Sequence, residues 1–488
     1  MTTADDHRRA EAIRARWDAL RAHDLPTHGG HTLAYVYDAG RPDVDALAHE
    51  ALADFSGTNG LDPTAFGSLA VMERELVGFV AELLCAPTGF AGTVTSGGTE
   101  SCLLAVLAAR DAWAQGREPG ARPRIVAPTT VHAAFHKAAH LFGLDLVLVD
   151  VDPLTFRADP AALAAAIDED TALVVVSAPS YAHGVIDPVA EVAAVAAARG
   201  VRCHIDACIG GLVLPFLDDA AEGTQRPAWD FTVPGVTSIS ADLHKYGYTP
   251  KGVSVLVHRS MALRHNQFWA TAGWPGYGVV NSTLQSTKSG GPLAAAWAVV
   301  QLLGRDGYAE LAAAARGAAL RIADAVGDID GVRLLAVPDS TLVTLAADER
   351  CDVYTIADEL LARGWYAQPQ LPFGDGVASL HLSLSAATAA GVEHFLTALR
   401  EAVAAAIATG PVQVDPELAR LLGSLDPATL DDAAFAGLLA AAGLTGTTED
   451  GAVGGVRLPL RMAPVNALLA ACPVPLREAL LVAVVERL

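Results

Sequence analysis

The sequence predicts an α/β protein in which helices cover a mostly parallel sheet, followed by a smaller α+β domain. Between residues 93 and 257, short apolar segments alternate with helical segments, the pattern of a sheet buried on both faces. Residues 310–405 then show helix, strand, helix, strand and helix. A chain of 488 residues exceeds what one compact core accommodates, which indicates more than one domain.

We therefore expect four parts. They are an N-terminal arm (1–65), a large domain (66–305), a small domain (306–408) and a helical C-terminal extension (409–488). The extension contains alanine-rich segments with proline joints and no recognisable chemical motif. It is interpreted as a cap on the body or as an oligomer contact.

The elements follow from hydrophobic spacing. In the arm, residues 7–22 predict a helix with arginines on one face, and from Phe66 a three- and four-residue spacing predicts another, up to Pro87. Short apolar runs predict the large-domain strands 93–95, 124–127, 146–149, 172–177, 201–205, 236–239 and 253–257. Helices are expected between them at 100–113, 133–142, 160–167 and 189–198. A long helix should follow Gly290-Gly291, and the small domain should contain strands 341–345 and 379–383 with helices 353–363 and 390–405.

Composition excludes several functions. The net charge of −22, from 55 acidic against 33 basic residues, argues against nucleic acid and anionic membranes as partners. The six cysteines show no zinc-ligand spacing, so no metal is expected. The N-terminus lacks an apolar secretory core, and apolar runs are shorter than a membrane span. We expect a cytoplasmic protein.

Lysine usage is the sharpest chemical signal. Only four of the 33 basic residues are lysines: Lys137, Lys245, Lys251 and Lys288. An amine can lose its proton and form a Schiff base, whereas a guanidinium cannot. Lys245 follows His244 in the segment Ser240-Ala-Asp-Leu-His-Lys-Tyr-Gly, where His244 and Ser240 can donate hydrogen bonds.

Three further motifs fall where ligands bind a parallel sheet, in loops after strands. Thr95-Ser-Gly-Gly-Thr-Glu-Ser101 is a glycine turn before a helix, and its N–H groups with the Thr99 hydroxyl suit a phosphate. Most such turns hold nothing, however. His132 begins a helix and can stack on an aromatic ligand, although a capping or packing role is the commoner one. Asp206 ends an apolar strand, where a carboxylate needs a cationic partner.

Together, a phosphate cradle, a stacking imidazole, a buried aspartate and an amine are the groups that pyridoxal 5'-phosphate requires. Their order along about 150 residues is more specific than any one motif. The lysine would hold the cofactor aldehyde, and the aspartate would keep the ring nitrogen protonated.

These motifs resemble those of the fold type I pyridoxal phosphate enzymes. Within them, the chain is similar to the group II decarboxylase superfamily and its sphingosine-1-phosphate lyase-like branch, over roughly residues 30–400. The resemblance implies that Lys245 is the Schiff-base lysine, that Asp206 pairs with the pyridine nitrogen and that His132 stacks on the ring. It also implies that Gly98, Thr99 and His244 hold the cofactor phosphate. Gly290 and Gly291 match a turn that reaches the neighbouring subunit's cofactor, which implies a homodimer with shared active sites.

The substrate end departs from that branch. Its Asn-x-Leu-His segment appears here as Asn59-Gly-Leu-Asp62, and a carboxylate in place of histidine would repel a phosphate. Asp62 could instead cap the following helix. Its Pro-Tyr-Gly segment appears as Ala182-His183-Gly184. Tyr37, Asn59, Lys251 and Thr287 are further substrate-pocket candidates.

The expected function is a carbon–carbon lyase acting on a small amino acid or amino alcohol. Decarboxylation and retro-aldol cleavage both stay open, with Lys251, His183 and Tyr37 as candidate proton-transfer residues. An aminotransferase would use the same cofactor set but usually adds an arginine for the substrate carboxylate. A non-catalytic assembly or regulatory relative is a further alternative, although such proteins usually lose the lysine or the aspartate.

Overall fold

The computed structural model describes residues 4–118, 120–217, 226–441, 444–447, 453–456 and 459–487. The large domain is built on a sheet of seven strands. In chain order these are β1 (Ala91–Thr95), β2 (Arg124–Pro128), β3 (Asp145–Val149), β4 (Thr171–Ser177), β5 (Arg202–Asp206), β6 (Val236–Ala241) and β7 (Ser254–His258). Their spatial order is β1-β7-β6-β5-β4-β2-β3. Only β7 runs against its neighbours, so the mostly parallel sheet is confirmed.

The register of this sheet brings the ends of its central strands together. Ser177 pairs with Asp206, and Asp206 pairs with Ser240. Because parallel strands end at the same edge, the segments that follow β4, β5 and β6 all emerge on one side. The sheet is buried because its strands are continuous apolar runs, and Val174, Ile205 and Ile239 are fully buried.

Helices pack on both faces of the sheet and extend into the arm. They are α1 (Ala4–Arg21), α2 (Pro42–Asp54), α3 (Gly67–Leu83), α4 (Gly98–Ala114), α5 (Ala133–Phe142), α6 (Pro160–Ala166), α7 (Val189–Ala198) and α8 (Met261–Arg264). A short hairpin follows, formed by β8 (Trp269–Thr271) and β9 (Val279–Asn281). The sequence did not predict α2, because its buried face consists only of Val44 and Ala48 and gives a weak apolar stripe.

The glycine pair opens the long helix α9 (Gly290–Val326), as predicted. Its regular helical geometry breaks at Gly304, whose φ of 55° and ψ of −170° suit glycine. This break lies one residue before the predicted end of the large domain. The small domain then forms an antiparallel sheet in the order β10-β11-β13-β12. Its strands and helices are β10 (Val332–Leu334), β11 (Leu342–Ala347), α10 (Val353–Ala362), β12 (Gln368–Gln370), β13 (Ser379–Ser383) and α11 (Thr388–Thr409). The sequence missed β10 and β12, since three residues are too few to show an alternation.

The arm is attached to the small domain by backbone hydrogen bonds. The amide of Leu33 donates to the Tyr366 carbonyl at 2.8 Å, and the Ser383 amide donates to the Leu33 carbonyl at 2.7 Å. Leu33 is fully buried in the small-domain core. The residues that follow it are therefore held close to the junction of the two domains.

The C-terminal extension forms a separate apolar cluster of its own. Its elements are α12 (Pro416–Ser424), α13 (Asp432–Ala441), β14 (Thr445–Thr447), β15 (Val453–Val456), α14 (Ala463–Ala471) and α15 (Val474–Val485). Asp358 of α10 accepts hydrogen bonds at 2.9 Å from the amides of Met462 and Ala463, which caps the start of α14. Over the described ranges, no helix is both long and apolar enough to cross a bilayer.

Candidate active site

A cavity of about 440 Å³ opens where the central strands of the large sheet end. Its walls come from the glycine turn before α4, the start of α5, the end of β5 and the segment after β6. Seven of the residues singled out from the sequence line it: Gly98, Thr99, His132, Asp206, His244, Lys245 and Lys251. The fold thus brings together groups that are separated by up to about 150 positions in the chain.

The glycine turn forms a cradle that only glycine can make. A Cβ on Gly98 would lie 2.5 Å from Oδ2 of Asp242, well inside contact distance. The Ser96 amide donates to Oε2 of Glu100 at 2.6 Å, while Oε1 of Glu100 accepts from the Leu284 amide at 2.8 Å. Glu100 therefore fixes the turn at the start of α4, where unpaired helix N–H groups favour an anion.

His132 occupies the N-cap position of α5, and its ring faces solvent in the cavity. Its Nδ1 accepts from the Ala134 amide at 3.2 Å, which fixes the ring and leaves Nε2 to carry the proton. Tyr181, which also lines the cavity, meets this ring edge to face at 6.4 Å. The capping role and the proposed stacking role are thus compatible in one residue.

Asp206 ends β5 with only 7% of its surface exposed. Its Oδ1 accepts from the Cys208 amide at 3.1 Å. Within the part of the chain that the structure describes, no ion pair to this carboxylate is formed. A buried carboxylate facing a cavity without a counter-ion suits a cationic ligand nitrogen.

Asp242, which the sequence reasoning missed, is the acidic partner of the lysine. Its Oδ2 lies 3.0 Å from Nζ of Lys245 and 3.7 Å from Nε2 of His244, and the residue is 1% exposed. Burial lowers the pKa of Lys245, but Asp242, Cys208, Tyr37 and Asp206 together outweigh it, and the pKa lies well above its ordinary value. The sequence contained a signal for this residue, because Asp242 precedes Lys245 by three positions in the same segment.

Lys251 lines the cavity, and Tyr37 packs beside it without lining the cavity itself. Nζ of Lys251 donates to the carbonyls of Tyr35 at 2.7 Å and His244 at 3.3 Å, and it lies 4.9 Å from the centroid of the Tyr37 ring. Burial, with the charge of Lys245, lowers the pKa of Lys251 to about 8. Burial raises the pKa of Tyr37, so its hydroxyl stays protonated near neutral pH.

His183 and Ser240 lie outside the cavity lining. The His183 ring stacks on Phe156 with centroids 4.1 Å apart, and burial lowers its pKa to about 4. The Ser240 hydroxyl is fully buried between His204 and Cys208, at 3.2 and 3.3 Å. Ser240 therefore contacts the neighbours of Asp206 but does not itself line the cavity.

The remaining candidates lie around the start of α9. Asn59 Oδ1 accepts from the amides of Leu61 and Lys288, both at 3.0 Å. Asp62 is exposed and accepts from the amide and hydroxyl of Thr64 at 2.8 and 2.6 Å, which closes a turn. It does not cap the following helix, because α3 begins only at Gly67 with Phe66 at its N-cap. Thr287 lines a neighbouring cavity of about 170 Å³ that shares Ser96, Glu100 and Gly252 with the main one.

Close packing inside the chain accounts for the glycine pair. A Cβ on Gly290 would lie 1.9 Å from Oγ1 of Thr58, and one on Gly291 would lie 2.8 Å from the Leu52 carbonyl. Neither glycine lines the cavity of its own chain. Contact with a neighbouring subunit's cofactor is not needed to explain them.

Comparison with known proteins agrees with this chemistry. Residues 27–343 match the pyridoxal-dependent decarboxylase conserved domain, which is well over half of the chain. The chain belongs to the pyridoxal-dependent decarboxylase family. The glycine cradle, the unpaired Asp206, the exposed His132 and the amine of Lys245 fit pyridoxal phosphate, the cofactor of this family.

Relatives place the chain within this family. It is 37% identical over 327 residues to the sphingosine-1-phosphate lyase of Dictyostelium discoideum, covering 67% of this chain and 60% of that protein. It is 32% identical to a "Probable L-tyrosine/L-aspartate decarboxylase" of Methanothermobacter thermautotrophicus, covering 65% of this chain and 84% of that protein. Among solved structures, a sphingosine-1-phosphate lyase of Burkholderia pseudomallei is 33% identical with a TM-score of 0.75. The match covers 84% of this chain and 92% of that one. The chain thus spans about three fifths of the Dictyostelium relative's length.

The C-terminal extension has a match of its own. Residues 416–487 match a domain described as "Pyridoxal-dependent enzyme, C-terminal putative HTH domain". The boundary at residue 416 coincides with the start of α12 and lies seven residues after the predicted start of the extension.

Proposed function

We propose that this protein is a pyridoxal phosphate-dependent lyase that cleaves the carbon–carbon bond next to an amine-bearing carbon and releases an aldehyde. The observation that supports it most is the convergence of Lys245, Asp206, His132 and the glycine cradle on one cavity. Lys251, with its lowered pKa, stands beside this group. Relatives named as sphingosine-1-phosphate lyases favour aldehyde release.

Each residue has a definite task in this proposal. The turn at Gly98 and Thr99, with His244, holds the cofactor phosphate, and His132 packs on the ring. Asp206 holds a proton on the ring nitrogen. The bound cofactor supplies an electron sink for the pair of electrons left by the broken bond.

Lys251 and Tyr37 handle the substrate protons. With a pKa of about 8, Lys251 has a neutral fraction near neutral pH and accepts the proton of the substrate β-hydroxyl. The Tyr37 ring centroid lies 4.9 Å from that amine, and the protonated Tyr37 hydroxyl can give a proton to carbon, which the Lys251 ammonium then replaces. Lys245 would hold the cofactor through its amine.

Decarboxylation is the second candidate, supported by the decarboxylase relative and by the description of the matched domain. Transamination has less support, because no arginine is found among the described residues that line the cavity. A non-catalytic role has less support again, since both Lys245 and Asp206 are present and face the cavity.

A product assay separates these functions. Reconstituted protein is incubated with a panel of amino acids, amino alcohols and their phosphate esters, and aldehyde, carbon dioxide and keto acid are measured separately. Aldehyde from a β-hydroxy amine supports the proposal, and Lys245→Ala provides the background. Carbon dioxide without aldehyde establishes the second candidate, and keto acid establishes an aminotransferase.

We also propose a homodimer with shared active sites, located in the cytoplasm. Support comes from exposed apolar side chains on the β8–β9 hairpin beside the smaller cavity: Trp269, Trp274, Tyr277 and Val280, each between 46% and 63% exposed. Light scattering should give twice the 50.4 kDa of one chain. A monomer that is fully active would contradict this proposal.

For the extension we propose packing within the enzyme rather than binding to nucleic acid. Residues 416–487 contain five arginines and no lysine against eight acidic residues, a balance that repels phosphate backbones. Arg477 donates to the carbonyls of Leu469, Ala470 and Cys472, and Arg461 pairs with Glu359 of α10 at 2.8 Å. Binding of duplex DNA at physiological salt, measured by fluorescence anisotropy, would contradict it.

A further inference from the structure

Three polar side chains from three parts of the chain meet beside the cavity, and one of them, Tyr181, lines it. Tyr35 comes from the arm, Tyr181 from the loop after β4, and Gln368 from β12 of the small domain. The Gln368 amide nitrogen donates to the Tyr35 hydroxyl at 2.5 Å, and the Tyr181 hydroxyl donates to the Gln368 amide oxygen at 2.7 Å. One amide thus bridges two hydroxyl groups, using both its donor and its acceptor.

On one side this bridge leads to Lys251. The backbone carbonyl of Tyr35 accepts from Nζ of Lys251 at 2.7 Å. Tyr35 has a φ of 64°, a left-handed conformation that a tyrosine adopts only when its surroundings hold it there. The hydrogen bond from Gln368 to the same residue fixes the ring and, through it, the orientation of that carbonyl.

On the other side the bridge leads to Tyr37. The Tyr181 ring stacks on His381 with centroids 4.1 Å apart, and His381 is the cross-strand partner of Gln368. Nε2 of His381 lies 2.9 Å from Oγ of Ser383, which in turn hydrogen-bonds to Tyr37. The pair β12–β13 therefore contacts the surroundings of both candidate proton-transfer residues.

We propose that Gln368 is a positioning residue, through which the small domain holds the Tyr35 segment, and with it the Tyr35 carbonyl, against the amine of Lys251. The inference rests on the proposed function, in which Lys251 accepts the substrate proton. Leucine at position 368 has a similar size but neither donates nor accepts, so both bonds are lost. The Tyr35 segment then loosens, the amine is no longer held near Lys245, and the pKa of Lys251 returns toward its ordinary value.

The test compares pH profiles of kcat/KM in four variants of the full-length holoenzyme. Gln368→Leu removes both bonds. Tyr35→Phe removes the bond on the Lys251 side together with a hydrogen bond to Tyr366, and Tyr181→Phe removes only the other. Gln370→Leu is the matched control on the same strand, since its amide contacts Ala182 and Ser379 rather than either tyrosine.

We expect kcat to fall on the order of 10-fold in Gln368→Leu and Tyr35→Phe, because the acceptor is displaced. The midpoint of the pH profile should move to higher pH in these two variants and stay in place in Tyr181→Phe and Gln370→Leu. Cofactor absorbance should be unchanged in all four, and thermal melting identifies any variant that does not fold.

An unmoved midpoint in both Gln368→Leu and Tyr35→Phe would overturn the proposal, even if kcat falls. Lys251→Arg separates this from a failure of the proposed function. If Lys251→Arg abolishes the pH limb while Gln368→Leu leaves it in place, only the positioning role is wrong. If Lys251→Arg also leaves the limb in place, the role of Lys251 itself fails.

Discussion

Lys251 offers the sharpest quantitative test of the proposed chemistry. Burial and the neighbouring charge of Lys245 lower its pKa from 10.5 to about 8. At pH 8, about half of such amines are neutral, against roughly one in 300 for a lysine of ordinary pKa, a gain of about 150-fold in available base. The side chain lies against Tyr37, and among the described residues its hydrogen bonds go to two backbone carbonyls and to no carboxylate.

The substitution Lys251→Arg tests whether that base is used. Arginine keeps a cation and hydrogen-bond donors near the Tyr35 carbonyl but does not lose its proton in the accessible pH range. In the unmodified enzyme, kcat/KM for aldehyde release should rise with pH through about 8 and then level off. Lys251→Arg should lose this limb and about 10²- to 10⁴-fold in kcat, the usual contribution of a general base.

The assay follows aldehyde formation from about pH 6 to pH 10 at saturating cofactor, with the bound cofactor measured by absorbance at each pH. Lys137→Arg serves as the matched control, because Lys137 on α5 does not line the cavity. A Lys251→Arg enzyme with normal turnover, or with the same midpoint near 8, would refute the reasoning.

Three further outcomes follow. Asp206→Asn should lower turnover by several powers of ten while cofactor binding, measured by absorbance titration, suffers less; near-normal turnover would make the aspartate structural. If Asp62 faces the substrate of a neighbouring subunit, unphosphorylated amino alcohols should have the higher kcat/KM and Asp62→His should narrow that preference. Preference for the phosphate ester would instead leave Asp62 as the turn cap that its bonds to Thr64 indicate. Burial lowers the pKa of His204 to about 4, so its stabilising contribution, present above about pH 6.5, is lost as pH falls toward 4. At pH 5.5 the loss is about 1.4 kcal/mol of unfolding free energy. Between about pH 7.5 and 5.5, the unfolding free energy measured with urea should therefore drop less in His204→Gln than in the unmodified protein. An equal drop in both would exclude this histidine as a cause.

The sequence was sufficient where a signal is local and repeated. Continuous apolar runs identified the seven strands of the large sheet, and because parallel strands share an edge, they placed Asp206 and Lys245 at one cavity. Elements with few residues or with small side chains, such as β12 and α2, were not predicted. The hairpin of β14 and β15 was missed for the same reason.

The polar partners of the site were harder to predict than its chemical groups. Asp242 lies within the lysine motif, yet only the fold shows that its carboxylate also packs against Gly98. Gln368 and Tyr35 are 333 positions apart, so no spacing rule connects them. The glycine pair shows the opposite case, since packing against Thr58 and Leu52 explains a motif that the resemblance had assigned to a subunit contact.

The central claim is that Lys245 carries the cofactor, and one measurement tests it directly. Protein reconstituted with pyridoxal phosphate is reduced with borohydride, digested and analysed by peptide mass spectrometry. We expect a pyridoxyl group on the peptide containing Lys245 and its absence in Lys245→Ala. Labelling of Lys251 in the unmodified protein, or no label in a protein that binds the cofactor, would contradict it.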